Sequence, residues 1–568
     1  MVGVVGASMG AGAGFGARRV GAQLSGLPPG FVTIHTGFAR AVEVMSTQAA
    51  SQLTKVALEA GAVDVVVVGS GIGGLVAGAL LARYGHRVVV CESHSIPGGA
   101  AHGFERQGFR FDSGPSFFCG LGDRTSLNPL RQVLDVLGES VAAIAYDPLG
   151  HYHFPDVTLP IYGNLDQYRA ALARVTPQGA RELQRLEKRM LQLYGALQDI
   201  PTLALRADWQ VFLGLLMHYP GAMAKMAWQL PMIQASVADL MRDLQDPLLR
   251  RLVDLECFLL SGLKADGTVA PEMAFMFGER SRSVVDYPVG GSEAIVQALV
   301  RGLERWGGQL RLKTHVQQIV VEQGAVTGVV LQDGTRLRAP VVISNATLWD
   351  TYTQLLPPDV VPQRDRQLVA QTPAVDSFMH VHLGIRAEGL TELTGHHVVV
   401  HDLHRDITTP GNTCMISIPS VWDASLAPPG HHVIHAYTLE PYAGWQRDGT
   451  YPDRKRQRAQ PLLQALERVI PDVRDRIVVE LIGTPLTHAR YLRRYQGTYG
   501  PAIAAGQGMF PSCQTSIRGL SRVGDSTMPG IGVPAVAASG ILCANTLVSL
   551  HQNRALVADW QAITSVAG

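Results

Sequence analysis

A glycine-rich turn near residue 70 has the residue types and spacing of a phosphate-binding loop. Gly69, Gly71 and Gly74 stand in the order Gly-x-Gly-x-x-Gly. The first glycine permits a tight turn from strand to helix, the second lets a pyrophosphate approach the backbone, and the third lets the helix pack closely on the strand. The phosphates would then lie at the positive end of a helix. The pattern predicts that a dinucleotide contacts Gly69, Ser70, Gly71, Ile72, Gly73 and Gly74.

An acidic residue follows this turn at the distance that a dinucleotide site requires. Glu92 lies 18 residues after Gly74 at a predicted strand end, where its carboxylate can accept hydrogen bonds from ribose hydroxyls. Ser93 stands beside it, and a second glycine turn, Gly98-Gly99-Ala100, is predicted to border the same phosphates. A glycine motif alone is weak evidence, but the strand, the helix and the acidic residue together indicate a bound dinucleotide. A purely structural glycine turn is the alternative.

A second glycine-rich segment near the C-terminus indicates which dinucleotide to expect. Gly524-Asp525 places a carboxylate at another predicted strand end, and the run from Pro529 to Pro534 opens a helix. A helix N-terminus stabilises negative charge on the N1–C2=O edge of a flavin. One unit for the ADP half and another for the flavin half together predict FAD. The second group of predicted contacts is Gly524, Asp525, Gly532 and Val533.

The other reactive residue types form no recognisable catalytic or metal-binding pattern. The sequence shows no nucleophile elbow and no Ser-His-Asp spacing, so we name no catalytic side chain. The six cysteines contain no CxxC pair, which argues against a zinc ribbon and fits a reducing compartment. The 19 histidines include His396-His397 and His431-His432, which lack zinc-ligand spacing. We predict no metal and expect these histidines on the surface or in packed positions.

The first glycine turn lies in a predicted β-α-β unit. The apolar run from Asp64 to Val68 is typical of a parallel strand that is buried on both faces. A helix is predicted from Leu75 to Tyr84, Gly85 ends it, and the next strand spans 87–91. Further strands are predicted at 314–322, 326–331, 341–343 and 520–523, and a further helix at 534–550.

The sequence between these blocks, from 128 to 271, is predicted to be mostly helical. Thr176-Pro177 is typical of a helix N-terminus, because threonine caps the helix and proline takes its first position. Leu183, Leu186 and Met190 continue one apolar face. Residues 352–510 mix strand and helix patterns. We therefore predict an α/β protein with a Rossmann-type dinucleotide-binding domain and a mixed α+β second domain.

The first 62 residues differ from the rest of the chain. The first acidic residue is Glu43, and Arg18, Arg19 and Arg40 precede it among small residues. An acid-poor, arginine-bearing start resembles an organelle transit peptide. We predict that residues 1–62 are a transit peptide, with a disordered leader as the alternative.

The most lipid-like stretch of the sequence spans 211–233. Pro220, Lys225 and Pro231 interrupt it, whereas a spanning helix needs about 20 mostly apolar residues. Two short helices are predicted here. We favour packing of these helices into the core, with a position on a membrane surface as the alternative.

The overall composition indicates a large globular protein. Its 568 residues are 46% hydrophobic and 17% charged, which excludes global disorder. Lysine and arginine number 48 against 47 acidic residues, for a net charge of +1. This balance gives no electrostatic reason to expect nucleic acid as a partner.

At its glycine motifs the chain resembles the carotenoid isomerase and phytoene desaturase family of flavoproteins. The resemblance runs from about residue 63 to the C-terminus, and the run from Gly524 to Pro534 is most similar to a plastid carotenoid isomerase-like subgroup. The segments that carry it are 64–74, 92–100, 111–116, 286–291 and 523–540.

The resemblance implies a discontinuous FAD-binding domain and a substrate domain. The first would comprise 63–125, 285–350 and 515–555, and the second 126–284 and 351–514. The resemblance also implies that Val316 lies against the adenine of FAD. It further implies a plastid location with peripheral membrane association.

For activity, the resemblance implies cis-to-trans isomerisation of a poly-cis carotenoid such as prolycopene. FAD would act in its reduced form, with no net redox change. Two alternatives stay open. One is an FAD-dependent carotenoid desaturase or a retinol-saturase-like oxidoreductase, and the other is a flavin-fold binding protein without catalysis.

Overall fold

The computed structural model describes residues 63–123, 126–282 and 285–565. The predicted leader, 1–62, lies outside the described residues. The strands in chain order are β1 Val65–Val68, β2 Val88–Cys91, β3 Gly103–Arg106, β4 Phe109–Asp112, β5 Phe118–Cys119, β6 Ala143–Ala145, β7 Gly150–His153, β8 Thr158–Ile161, β9 Val285–Pro288, β10 Gln309–Arg311, β11 Val316–Glu322, β12 Ala325–Leu331, β13 Arg336–Arg338, β14 Val341–Ser344, β15 Ser377–Arg386, β16 His396–Val400, β17 Thr413–Ser417, β18 His431–Glu440, β19 Ile477–Gly483 and β20 Leu520–Arg522.

Helices connect these strands and cover the sheets. The α-helices are Ile72–Arg83, Pro129–Leu137, Leu165–Ala173, Pro177–Leu197, Gln210–His218, Pro220–Trp228, Leu230–Ile233, Pro247–Ser261, Ala270–Arg282, Ser292–Arg305, Leu348–Asp350, Gln363–Gln371, Tyr451–Arg458, Gln460–Val469, Val473–Arg476, Pro485–Tyr491, Val533–Thr546 and Leu550–Ser565.

A parallel five-stranded sheet carries the first glycine turn. Its order is β10-β2-β1-β14-β20, and each neighbouring pair is parallel. Every residue of β1 and β2 is buried, as their continuous apolar runs predict. Because the strands run in one direction, their carboxyl ends meet at one edge, where ligands bind in such sheets. Gly69, Glu92, Asn345 and Val523 follow β1, β2, β14 and β20 at this edge.

A seven-stranded sheet has the order β19-β15-β18-β17-β16-β7-β8. Strand β15 pairs with β18 in antiparallel register, so that His382 stands opposite His435. Since side chains alternate across a strand, Met379, Val381 and Leu383 point to one side of β15 and form a core with the helix Gln460–Val469. His380 and His382 belong to the opposite face.

The predicted secondary structure needs correction at the start of 128–271 and near the C-terminus. The region 128–271 is not mostly helical at its start, because β6, β7 and β8 lie there. Strand β7 pairs with β16, and such a distant partner leaves no local signal in the sequence. The helix predicted at 534–550 ends at Thr546, and a separate helix, Leu550–Ser565, follows.

The lipid-like stretch at 211–233 forms three short helices instead of the predicted two, and the favoured core position is wrong. Val211, Leu215 and Ala222 are buried, but Trp209 just before the stretch is 72% exposed and Trp228 is 84% exposed. Apolar residues lie all round these helices, so packing one side against the protein leaves the others in solvent. Within the described residues, none of the helices combines the length and apolarity needed to cross a membrane.

Candidate functional site

A cavity of about 900 Å³ lies at the carboxyl edge of the parallel sheet and extends to the seven-stranded sheet. This volume is in the range of small-molecule and cofactor sites. The structure brings most of the predicted contact residues together on its wall. They are Gly69, Gly71, Ile72, Gly73, Glu92, Ser93, Gly98, Gly99, Ala100, Val316, Gly524, Asp525, Gly532 and Val533.

Ser70 and Gly74 were also predicted as contacts, but the structure places them behind this wall. Ser70 is fully buried and donates two hydrogen bonds to Oε2 of Glu92, from its N–H at 2.9 Å and from its hydroxyl at 2.6 Å. The N–H of His94 donates to Oε1 of Glu92 at 2.8 Å. Ser70 therefore holds the carboxylate of Glu92 in place.

The glycines allow backbone segments to approach one another closely. A Cβ atom on Gly74 would lie 2.4 Å from the carbonyl oxygen of Gly69, so this glycine lets the helix pack against its own turn. A Cβ atom on Gly73 would lie 2.9 Å from the backbone nitrogen of Gly524. The two glycine-rich segments, far apart in the sequence, are therefore in backbone contact. We call the surface formed by Gly71, Gly73, Gly524 and Gly532 the glycine wall.

Asn345 is a site residue that the sequence reasoning missed. Its N–H donates to the carbonyl oxygen of Val68 at 2.9 Å, directly after β14. Its side chain fills the space beside Gly71, where a Cβ atom would lie 2.5 Å from Asn345 Nδ2. A Cβ atom on Gly524 would lie 2.8 Å from Asn345 Oδ1. A polar residue directly after a buried parallel strand was the available signal.

Two helix N-termini face the cavity. The helix Ile72–Arg83 begins after Gly71 and the helix Val533–Thr546 after Gly532, and among the described side chains none caps either end. Uncapped N–H groups at a helix N-terminus attract negative charge. Together with Glu92 at a strand end, these termini fit the diphosphate, the ribose and the electron-rich edge of a flavin dinucleotide.

Asp525 is held by an arginine that was not predicted. Its Oδ2 lies 2.6 Å from Nη2 of Arg494, and Ser526 donates its hydroxyl to Oδ1 at 3.1 Å. Arg494 also donates to the carbonyl oxygens of Thr498 and Tyr499, at 2.8 and 3.0 Å. These bonds fix the Asp525 carboxylate at the cavity wall.

Another part of the cavity wall carries apolar and aromatic side chains. Its side chains come from the helix Pro247–Ser261, from three strands of the seven-stranded sheet and from the loop after Gly497. They are Phe258, Leu259, Phe378, Met415, Leu439 and Tyr499. Such a lining suits an extended apolar molecule, because it offers few groups that need a polar partner.

A group of histidines beside this lining was also missed. Nδ1 of His380 lies 2.7 Å from Nε2 of His435, and Nε2 of His382 lies 3.1 Å from the carbonyl oxygen of Asp112. His488, on the helix Pro485–Tyr491, lies against His380 with ring centroids 4.4 Å apart. We call His380, His382, His435 and His488 the histidine cluster. A His-x-His alternation inside a strand was its signal in the sequence.

Burial keeps the histidine cluster neutral. It lowers the pKa of His382 to about 4, although the bond to Asp112 opposes this. It lowers the pKa of His488 to about 3, with a further contribution from Arg494. Burial and the neighbouring rings hold the pKa of His380 and His435 well below the ordinary value.

The histidine pairs singled out in the sequence have other surroundings. His396 is largely buried and lies 2.9 Å from the carbonyl oxygen of Ser116, and His397 lies 3.1 Å from His153. His431 and His432 lie at the start of β18, half-buried. None of the four lines the cavity.

Comparison with known proteins places these features in a family. The sequence profile of the flavin-containing amine oxidoreductases matches residues 72–548. Prolycopene isomerase 1, chloroplastic, from an Oncidium hybrid cultivar is 34% identical, over 86% of this chain and 84% of its own length. The neurosporene-forming phytoene desaturase of Rhodobacter capsulatus is 28% identical, over 85% of this chain and 93% of its own length.

Solved structures agree on the fold. Putrescine oxidase superposes with a TM-score of 0.55 at 16% sequence identity, over 88% of this chain and 99% of its own. At this identity the likeness concerns the fold alone, which is an oxidoreductase fold of mixed helix and sheet.

Proposed function

The chain belongs to the flavin-containing amine oxidoreductase family, and from this premise we propose that it is an FAD-dependent isomerase of a poly-cis carotenoid such as prolycopene. The observation that carries the proposal is a single cavity lined both by the glycine wall and by the apolar side chains from Phe258 to Tyr499. The 34% identity to a prolycopene isomerase supports the choice of substrate. A flavin and a polyene would lie side by side in this one cavity.

FAD would be held by backbone groups at the phosphates and by side chains at its ends. Glu92 would accept hydrogen bonds from the adenosine ribose, and Val316 would lie against the adenine. The turn from Gly69 to Gly74, with Gly98, Gly99 and Ala100, would border the pyrophosphate. Asp525 would bind the ribityl or pyrophosphate part, with Gly532 and Val533 at the flavin ring.

The FAD-binding domain would comprise 63–125, 285–350 and 515–555, and the substrate domain 126–284 and 351–514.

The bound flavin, in its reduced form, would supply an electron-rich ring that stabilises positive charge developing on a neighbouring polyene. The chain would position the polyene and exclude water through Phe258, Phe378 and Tyr499. Isomerisation needs only a temporary loss of double-bond order, so no net oxidation follows.

The substrate would reach the protein from a membrane of the plastid. The exposed apolar residues on and beside the helices Gln210–His218 and Pro220–Trp228 support peripheral association. Trp209, Leu216 and Trp228 are 72%, 64% and 84% exposed, and such side chains enter the interfacial region of a bilayer. We call these three side chains the apolar patch. The plastid location is supported by the chloroplastic naming of the relatives and by the acid-poor leader.

The direct test is to incubate the flavin-loaded protein with prolycopene, under reducing conditions and with lipid vesicles, and to separate the products by chromatography with mass detection. The proposal expects all-trans or less-cis isomers of unchanged mass. A product that differs by two hydrogens would instead support the desaturase or saturase alternative, which the 28% identity to a phytoene desaturase keeps open.

A further inference from the structure

His380 and His435 form a hydrogen-bonded pair across neighbouring strands. Nδ1 of His380 and Nε2 of His435 are 2.7 Å apart. The ring centroids are 5.0 Å apart and the ring planes differ by 9°. With the planes parallel and the nitrogens so much closer than the centroids, the rings meet edge to edge in nearly one plane. The N–H of one ring therefore points at the lone pair of the other.

The outer nitrogens of this pair have no hydrogen-bond partner among the described residues. They are Nε2 of His380 and Nδ1 of His435, and both are buried. His380 lines the cavity. At the other end Ser417, whose hydroxyl is also buried and unpartnered, stands opposite His435 in the sheet. Since a neutral imidazole has one N–H and one lone pair, one outer nitrogen carries a proton and the other accepts one.

A metal ion is the competing interpretation of these histidines. Ring nitrogens of His380, His382 and His435 lie within 4.8 Å of one another. Histidine nitrogens lie about 2.0–2.1 Å from zinc, which puts two tetrahedral ligands about 3.3 Å apart. The observed 2.7 Å between His380 and His435 is shorter. His382 is face-stacked on His435, with centroids 4.4 Å apart and planes within 4°, so its lone pair does not converge with theirs.

On the basis of the proposed function, we propose that His380 is a catalytic residue that exchanges a proton with the polyene, and that His435 is the positioning residue that shares its positive charge. When both outer nitrogens carry a proton, the Nε2–H bond of His380 breaks. A new C–H bond forms from the π electrons of a cis double bond. The proton between the rings then stays on Nδ1 of His380, which leaves both rings neutral.

The second half of the cycle returns one proton to His380. The positive charge is delocalised along the polyene, and the former double bond rotates as a single bond. The protonated carbon now carries two hydrogens, and after the rotation its original hydrogen faces His380. This hydrogen leaves as a proton to Nε2 of His380, the added one stays on the carbon, and the π bond forms again in the trans geometry. No electron is gained or lost, and water is the only source of protons that the cycle needs.

The groups around the pair make its protonated form scarce and strongly acidic. His382 is stacked on His435, His488 lies against His380, and Tyr437 packs on both rings of the pair. Beyond them, His102 and Arg494 act on His488. None of the described groups that act on either ring of the pair is a carboxylate. The isomerisation rate should therefore rise with falling pH, by up to about tenfold per pH unit.

Deuterium incorporation tests the proposal without any variant. The flavin-loaded full chain converts prolycopene in D2O, and the product is analysed by mass spectrometry. We expect deuterium at the isomerised bond. Isomerisation without deuterium would overturn the proton exchange by His380 and leave the proposed function intact. A wild-type protein that isomerises nothing would overturn both.

Two variants identify the residues that act. His380→Phe should lower the isomerisation rate at least about 100-fold with the flavin still bound, and His435→Phe should shift the pH profile toward that of a single histidine. The matched control is His153→Phe, because His153 and His397 form a 3.1 Å pair in the same sheet away from the cavity. Unchanged rate and pH profile in both cluster variants would overturn the proposal.

Discussion

The glycine wall and two members of the histidine cluster, His380 and His488, line the same cavity, but the two groups depend on different physical effects. The glycine wall works by leaving side chains out, because backbone groups of Gly73 and Gly524 approach each other and two uncapped helix ends face the cavity. The histidine cluster works by packing polar rings together, and three of them, His380, His382 and His435, are buried. The first should therefore be sensitive to added volume and the second to added protons.

The largest effect is expected from adding a side chain next to the glycine wall. In Gly74→Val, the new Cβ atom would lie 2.4 Å from the carbonyl oxygen of Gly69, which cannot move without opening the turn. We expect the free energy of unfolding to fall by about 3 kcal/mol, measured by denaturant titration.

The matched control for this variant is Gly221→Ala. A Cβ atom at Gly221 meets no atom within 4 Å, and the residue lies in the helix Pro220–Trp228. Its stability should stay the same or rise by up to about 1 kcal/mol. Equal losses in the two variants would show that the close approach at Gly74 has no special role.

Acid should act on the histidine cluster. Because the pKa of His382 falls to about 4 on folding, the unfolded chain takes up a proton that the folded chain refuses. The stability is complete above pH 6.5 and is lost as the pH falls from 6.5 toward 4, by about 3 kcal/mol for this residue alone.

Unfolding measured between pH 7.5 and pH 4.5 checks this expectation. His382→Phe should be less stable than the wild type at neutral pH, since the Asp112 carbonyl loses its partner, but its stability should decline less steeply in acid. The exposed His551→Phe serves as the control. Identical slopes in all three proteins would contradict the burial argument.

The carboxylate at the edge of the glycine wall should affect flavin affinity more than folding. Glu92→Gln keeps the shape of the side chain but removes its negative charge. Losing a charged acceptor lowers the binding free energy of a buried polar ligand by about 1–3 kcal/mol. We expect the Kd for FAD, measured by fluorescence quenching, to rise about 5- to 150-fold. Glu322→Gln, at the exposed end of β11, should leave the Kd unchanged, and a similar rise there would remove the special role of Glu92.

The smallest effect concerns a surface that belongs to neither region. Replacing the three residues of the apolar patch, Trp209, Leu216 and Trp228, by serine should lower the affinity for lipid vesicles by at least about tenfold, measured by co-sedimentation. The flavin content and the acid sensitivity should not change, because these side chains are exposed and not part of the cavity. Full vesicle binding by the triple variant would assign membrane contact to another surface.

The two regions also differ in how far the sequence predicts them. The turn from Gly69 to Gly74 and Glu92 lie within one β-α-β unit, so their function is encoded by local spacing, and the buried runs of β1 and β14 were predicted from apolar residues alone. The histidine cluster joins β15, β18 and a later helix, so the His-x-His alternation in β15 is visible in the sequence but its distant partners are not. For Asn345 the position after a buried strand was visible in the sequence, but its contacts with Gly71 and Gly524 were not.

The most direct test of the central claim is to count electrons against product. The claim is that a flavin on the glycine wall and the apolar side chains of the same cavity serve an isomerisation with no net redox change. The flavin-loaded protein is reduced with a measured amount of dithionite without oxygen and given excess prolycopene. We predict many molecules of unchanged mass for each electron pair supplied. One electron pair consumed or released per bond changed, with a mass shift of two hydrogens, would contradict the claim.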